Sequence, residues 1–209
     1  GMVFADTTVY ELGYYVFVQQ TFAKKLTVNG GLRLQHNQVY GNEWVPSAGL
    51  AWRANDNTTW KASFSKGFRS PTIRELFLWG PNPKLQPETV FNYEVGILKS
   101  FCARKLNFEL TGFFVKGDNL IITVPLKGLQ NAGEVKNKGI EFSADANPST
   151  KLSFHAAYSY INMKHPVYAT PEHQLYVNSR YRMNKASFML SFHCVANLDT
   201  DASTQTHFE

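Results

Sequence analysis

The residue types that catalyse reactions or bind metals occur in this sequence, but their spacing matches no known catalytic motif. No GxSxG, Walker, GxGxxG or HExxH pattern is found, and none of the six histidines has a second histidine four residues away. Cys102 and Cys194 fit neither a CxxC motif nor a zinc-ligand spacing, so we interpret both as free thiols. We therefore expect that the chain is not an enzyme and has neither catalytic residues nor a cofactor.

Two other groups of residues could bind a metal ion. Asn197, Asp199 and Asp201 begin like a calcium loop, but an alanine and a phenylalanine occupy the positions of its glycine and its bidentate glutamate. His165 and His173 flank one predicted loop and could meet after folding, although ordinary loop histidines are the simpler interpretation. The sequence therefore predicts no metal site.

Positive charge is in moderate excess, with 21 Lys and Arg against 16 Asp and Glu. The basic residues are scattered and do not cluster with aromatic residues, so nucleic acid is not expected as a partner. An anionic lipid surface or an anionic ligand suits the same excess. Residues 1–6 lack the basic and apolar regions of a signal peptide, and we interpret Gly1 as the remnant of a cleaved tag.

Apolar and polar side chains alternate with the two-residue period of β-strands in many segments. The pattern predicts an all-β fold, an antiparallel up-and-down meander of about ten long strands. We expect them at residues 9–20, 26–37, 43–54, 58–69, 90–100, 105–117, 133–146, 151–163, 173–183 and 186–198. Most of them reach the 9–11 residues that a tilted strand needs to cross a membrane.

The predicted connections alternate between short and long. Short polar turns are expected at 23–25, 55–57, 103–105, 147–150 and 184–185, and longer connections at 70–89, 118–132 and 164–172. Short turns on one rim and long loops on the other are typical of a membrane β-barrel. A ten-stranded segment could be part of a larger barrel or a small closed barrel. A soluble β-barrel or sandwich, with its apolar face inward, is the alternative.

A membrane barrel predicts which side chains face lipid and which face the lumen, where water can hydrogen-bond polar groups. We expect lipid-facing positions at Leu152, Phe154, Ala156, Tyr158, Tyr160, Phe188, Leu190, Phe192, Cys194 and Ala196. We expect lumen-facing positions at Ser153, His155, Ser159, Ser191 and His193.

One long segment, residues 64–97, carries a distinctive series of motifs. It contains FSKGFRSPTIRELF, then NPKLQPE, then NYEVGI. These motifs resemble the barrel of TonB-dependent outer-membrane receptors, whose pattern runs G-[FY]-[RK]-x-P-x-x-x-E-L, then N-P-x-L-x-P-E, then Y-E-x-G. The matching residues are Gly67, Phe68, Arg69, Pro71, Glu75, Leu76, Asn82, Pro83, Leu85, Pro87, Glu88, Tyr93, Glu94 and Gly96.

Two further motifs follow in the order of the same family. Asn131, Gly133, Gly139 and Glu141 resemble its N-x-G and G-[VI]-E elements, and Pro171 with His173 resembles the P-x-H opening of the next strand. We expect these family residues to be mainly structural, since the prolines of 71–87 prevent this loop from extending the flanking strands. Arg69 and Glu75 could form an ion pair or remain solvated. The ligand-binding residues are unknown.

The resemblance implies a transport protein of the outer membrane of a Gram-negative bacterium. The intact receptor would contact outer-membrane lipid, bind a small nutrient such as an iron chelate or a cobalamin-like compound, and import it with energy from the inner-membrane TonB complex. Residues 2–209 are expected to be a single barrel segment without the family's plug domain, truncated at both ends, and not competent for transport alone. A small self-closed pore and a soluble binding module are the alternatives.

Overall fold

A computed structural model of the chain describes residues 8–78, 80–164 and 170–198. Within them the strands are β1 (Glu11–Phe22), β2 (Leu26–Asn37), β3 (Gly41–Asn55), β4 (Thr58–Arg69), β5 (Glu88–Phe101), β6 (Leu106–Val124), β7 (Gly128–Ala146), β8 (Leu152–Met163), β9 (Pro171–Met183) and β10 (Ala186–Leu198). One short helix, α1 (Ile73–Phe77), follows β4. The prediction of about ten long strands is confirmed.

The ten strands form one sheet in the order of the chain, and each strand pairs antiparallel with the next. In the described part of the chain, β1 and β10 are the two edges and do not pair with each other. The side chains of both edge strands are exposed along their whole length. The sheet is therefore open, unlike the small closed barrel that strand number alone allowed. No helix among the described residues is long and apolar enough to cross a membrane.

The register between strands sorts the side chains into two faces of opposite character. On what we call the polar face, successive cross-strand partners are Thr111, Glu141, Ser159 and Gln174. On what we call the apolar face, the successive partners are Leu110, Phe142, Tyr158 and Leu175. Every position predicted to face lipid lies on the apolar face, and every position predicted to face the lumen lies on the polar face.

Crowding at several glycines indicates that the polar face is the concave one. A Cβ atom at Gly31 or Gly49, both on the polar face, would lie 2.7 Å from a neighbouring side chain. A Cβ atom at Gly30 or Gly112, both on the apolar face, would meet only backbone oxygens at 3.9–4.0 Å. Bending a sheet brings the side chains of its inner face together and spreads those of its outer face. A groove of about 500 Å³ on the polar face is lined by residues from β5 to β10.

The connection predicted at 118–132 is mostly strand, so this prediction was wrong. β6 continues to Val124, β7 begins at Gly128, and only three residues join them. The register shifts between Gly117 and Ile121, where Asn119 adopts a positive φ of 59°. The ladder between β6 and β7 resumes beyond this β-bulge. The side chains of Asn82 and Glu88, from earlier in the chain, hold the extended hairpin.

Gly139 offers a test of the crowded inner face. A Cβ atom there would lie 2.1 Å from the Tyr160 carbonyl oxygen of β8 and 2.6 Å from the Phe113 ring. We expect Gly139→Ala to destabilise the chain by about 1–3 kcal/mol, the usual cost of overpacking. The measurement is the denaturant midpoint of the chain folded in detergent micelles, followed by tryptophan fluorescence.

The matched control for this test is Gly112→Ala, on the adjacent strand but on the open face. Its Cβ atom would meet only backbone oxygens at 4.0 Å, so the midpoint should stay close to that of the parent chain. Equal shifts for both variants would contradict the assignment of the concave face.

Candidate functional site

The loop between β4 and β5, residues 70–87, is folded around the short helix α1. Thr72 caps this helix in a capping box: the Glu75 amide donates to Thr72 Oγ1 at 3.2 Å, and Glu75 Oε2 accepts from the Thr72 amide at 2.7 Å. Pro71 directly before the cap has no amide hydrogen to satisfy and is buried. The chain therefore turns away from β4 instead of continuing the sheet.

Arg69, the last residue of β4, joins this helix to the sheet. Its guanidinium donates to both oxygens of Glu88 at 2.6 and 2.7 Å, and to both oxygens of Glu75 at 3.1 and 3.2 Å. Glu88 Oε1 also accepts from the amide of Ile121 in the β6–β7 hairpin at 2.7 Å. One arginine fork between two carboxylates thus connects β4, α1, β5 and β6. Of the two possibilities that the sequence left open for Arg69 and Glu75, the structure shows the ion pair.

Two asparagines attach the rest of the loop to the same hairpin. Asn82 Nδ2 donates to the Leu129 carbonyl at 2.8 Å. Asn131 accepts from the Gln86 amide and donates to the Gln86 carbonyl, both at 2.8 Å, and it also donates to the Asn119 carbonyl at 2.8 Å. The two sequence motifs that contain these asparagines are therefore in contact, and their hydrogen bonds attach the β6–β7 hairpin to the 70–87 loop.

A small apolar core lies under the loop. Leu76 and Leu85 are buried there, with 3% and 1% of their surface exposed. Pro87 is also buried. An open sheet has no interior of its own, so these residues provide the local packing that orders the loop.

Contacts at this rim shift the pKa values of several titratable groups, among them Glu75 and Tyr40. Although burial of the carboxyl acts in the opposite direction, the hydrogen bonds from Arg69 and Thr72 lower the pKa of Glu75. The carboxylate therefore persists to more acidic pH than usual. Burial and the hydrogen bond to Glu11 raise the pKa of Tyr40, in the β2–β3 connection, to about 12. Its phenol donates to Glu11 Oε1 at 2.6 Å and lies 2.6 Å from Ser70 Oγ.

The remaining motif residues take no part in these hydrogen bonds. Gly67 and Phe68 lie near the end of β4, and Pro83 is an exposed loop residue. Tyr93 is on the apolar face, and Gly133 lies in β7 against Leu120. Glu94, Gly96, Gly139 and Glu141 belong to the polar face. Pro171 starts β9, and His173 on the apolar face lies 2.8 Å from Tyr158 OH and stacks on the Tyr160 ring.

Sequence reasoning missed two ion pairs that join neighbouring parts of the sheet. Lys61 of β4 donates to Glu109 of β6 at 2.6 Å, passing β5 where Gly96 has no side chain. Glu43 and Lys66 form an ion pair in which each side chain is 16% exposed. The one signal in the sequence was that Lys66 interrupts an apolar series. The partners lie 23 and 48 residues apart along the chain.

The histidine pair that could have met after folding, His165 with His173, cannot be placed because His165 lies outside the described residues. No group of three or more potential ligands lies close enough to hold a metal ion within residues 8–78, 80–164 and 170–198. Cys102, in the β5–β6 turn, and Cys194, in β10, are both exposed and unpaired with each other.

Comparisons with known proteins agree with these observations. A family model described as "TonB dependent receptor-like, beta-barrel" matches residues 2–203. The iron-regulated outer membrane virulence protein of Vibrio cholerae is 34% identical over 88 residues, which are 37% of this chain and 14% of the relative. The vitamin B12 transporter BtuB of Vibrio cholerae is 30% identical over 122 residues, which are 56% of this chain and 20% of the relative.

Solved structures share the fold at low identity. The ferric enterobactin receptor PfeA of Pseudomonas aeruginosa superposes with a TM-score of 0.78 at 19% identity, over 88% of this chain and 32% of that one. The siderophore receptor PirA of the same organism gives 0.74 at 21% identity, over 88% and 36%. The chain thus spans a fifth or less of these curated relatives and about a third of the solved barrels.

The Arg69 fork can be tested by amide hydrogen exchange. We expect Arg69→Ala to speed exchange about fivefold at the amides of Leu76, Leu78 and Asn82, which are hydrogen-bonded within the loop. This corresponds to roughly 1 kcal/mol for a partly exposed charge network. Amides in the centre of β5 to β9 should exchange as before. Lys84→Ala removes an exposed charge from the same loop and serves as the control. Unchanged loop exchange in Arg69→Ala would contradict the role given to the fork.

Proposed function

The chain belongs to the TonB-dependent receptor family, and from this premise we propose that it forms part of the wall of an outer-membrane nutrient receptor. The family consists of receptors and transporters, not enzymes. The observation that carries the proposal is the pairing of a concave polar face with a convex apolar face. Such a sheet buries its apolar face in lipid while its polar face lines an aqueous interior.

The proposed location is the outer membrane of a Gram-negative bacterium, with outer-membrane lipid as the partner of the apolar face. The apolar face carries aromatic side chains near both rims, including Tyr93 and Tyr160 toward the long-loop rim and Trp52 and Trp60 toward the short-turn rim. Aromatic residues at these two levels are typical of the membrane interfaces of outer-membrane barrels. By the same pattern, the rim with the 70–87 loop faces the cell exterior.

The proposed ligand of the intact receptor is a small, scarce nutrient, either an iron chelate or a cobalamin-like compound. Support comes from the relatives and structural neighbours, which include an iron-regulated protein, a vitamin B12 transporter and siderophore receptors. We propose that the motif residues around Arg69 act as scaffold and do not contact the ligand. Their charged and amide groups already have hydrogen-bond partners within the chain.

Energy for import would come from the inner-membrane TonB complex, acting on the intact receptor. The two alternatives have less support. A self-closed pore requires β1 to pair with β10, and a soluble binding module requires the apolar face to be concave.

Spin labels on neighbouring residues of β8 test the membrane orientation. Phe154→Cys and His155→Cys are labelled separately in a background of Cys102→Ser and Cys194→Ser, so that each chain has one thiol. In bilayers, the label at position 154 should be relaxed by oxygen, which partitions into lipid, and the label at 155 by a water-soluble nickel reagent. The reversed pattern would mean an apolar interior and would refute the proposal.

A second test concerns transport by this segment alone. Cells that lack the receptor and express only these residues should show no uptake driven by the proton-motive force above their own background. The physical reason is that an open sheet does not enclose a channel. Iron-chelate and cobalamin uptake are both measured, with the intact receptor as the positive control. Uptake by the segment alone would contradict the expectation.

A further inference from the structure

A group of lysines lies on the apolar face at the long-loop rim, where lipid headgroups would begin. We call Lys116, Lys136, Lys138 and Lys164 the basic cluster. Lys116 of β6 and Lys136 of β7 are direct cross-strand partners, and Lys138 is two residues along from Lys136. Lys164 follows β8, and its amide donates to the Lys136 carbonyl at 3.1 Å. Three adjacent strands thus bring four ammonium groups to one patch.

Carboxylates within the chain neutralise only part of this charge. Lys116 pairs with Asp118 at 2.8 Å, while Lys136 and Lys164 share Glu134, the latter at 3.5 Å. Lys138 has no ion-pair partner among the residues that the structure describes, and its side chain is exposed. Like charges directly opposite each other in a sheet are destabilising, so this patch suits an external anion.

The basic cluster lies at the height expected for headgroups. Along β6 the apolar-face positions from Leu106 to Phe114 carry no charge, and the first charged position is Lys116. At about 3.3 Å per residue and a tilt of about 40°, these ten residues rise about 25 Å, which is the height of the apolar band of an outer-membrane barrel.

Directly below the basic cluster, the apolar face contains a groove. Gly112 has no side chain, and Tyr93, Val95, Phe114, Ile140 and Tyr160 surround the space that it leaves. The volume is about 660 Å³ and the lining is mostly apolar, while Lys138 and Asn162 line its upper end. We call this space the Gly112 groove. The apolar part of the groove suits an acyl chain of a phospholipid, and its basic end suits the phosphate of the headgroup.

We propose that the Gly112 groove and the basic cluster together form a binding site for a phosphorylated lipid of the outer leaflet. An acyl chain occupies the groove against Val95 and Ile140, and the headgroup phosphate accepts hydrogen bonds from Lys138 and Lys116. This site rests on the proposed membrane location of the apolar face. It lies outside the barrel lumen, so it is separate from the path of any nutrient.

Native mass spectrometry of the full chain from mixed micelles tests the site, with phosphatidic acid as the anionic probe and phosphatidylcholine as the neutral one. We expect the double variant K116Q/K138Q to retain about thirtyfold less phosphatidic acid, from the usual contribution of two lysines at an anionic surface. Retention of phosphatidylcholine should not change. Gly112→Leu fills the groove and should lower the retention of both lipids.

The matched control is Lys99→Gln, which removes a lysine from the same face at the opposite rim. It should leave the retention of phosphatidic acid unchanged. An equal loss in this control, or no loss in the double variant, would overturn the proposal. Competition by inorganic phosphate at concentrations near that of the lipid would also overturn it, because the site would then bind the free anion without the acyl chain.

The outcome is separable from the test of membrane orientation. If the spin labels at 154 and 155 report an apolar interior, the proposed function fails and this site fails with it. If the labels report the expected orientation and the double variant retains phosphatidic acid as the parent chain does, only the lipid site is refuted.

Discussion

Backbone hydrogen bonding between neighbouring strands is the constraint on which the rest of this molecule depends. Hydrocarbon offers no water to an amide, so each strand in a bilayer must satisfy its backbone through its neighbours. Continuous antiparallel ladders from β1 to β10 meet this requirement. They also fix the two faces, because a slip of one residue would move every side chain of a strand to the opposite face. The alternation in the sequence and the ladder in the structure therefore both follow from the need to pair the backbone.

Side-chain contacts join the strands where backbone pairing ends. Pairing between β3 and β4 ends at Ser47 and Ser65, next to Pro46, which has no amide hydrogen to donate. Beyond that point, β3 and β4 are joined by the Glu43–Lys66 ion pair. Breaking a poorly exposed pair of this kind would leave one charge buried without a partner, which is costly. Similarly, the Arg69 fork joins β4 to the β6–β7 hairpin through Glu88. The long-loop rim is thus held by charged side chains, and the middle of the sheet by its backbone.

The sequence predicted what depends on neighbours along the chain and missed what depends on distant partners. Alternation located the ten strands, the short turns and the two faces of β8 and β10, because the two-residue period is local. It misplaced 118–132, because Asn82 and Glu88, whose side chains hold the hairpin, are remote from it in sequence. The family motif identified Arg69 and Glu75 but left open whether they pair. Lys61 and Glu109 carried no signal of their contact, because the open position at Gly96 is visible only in the folded sheet.

The order of the sheet, identical to the order of the chain, has a consequence for how such walls change in evolution. Every ladder joins strands that are consecutive in sequence, so contacts form hairpin by hairpin and no strand is threaded between two earlier ones. A duplication or a deletion preserves the alternating strand direction only when it adds or removes strands in pairs. The hairpin, not the single strand, is therefore the unit of inheritance, and each hairpin brings its own inner and outer face with it.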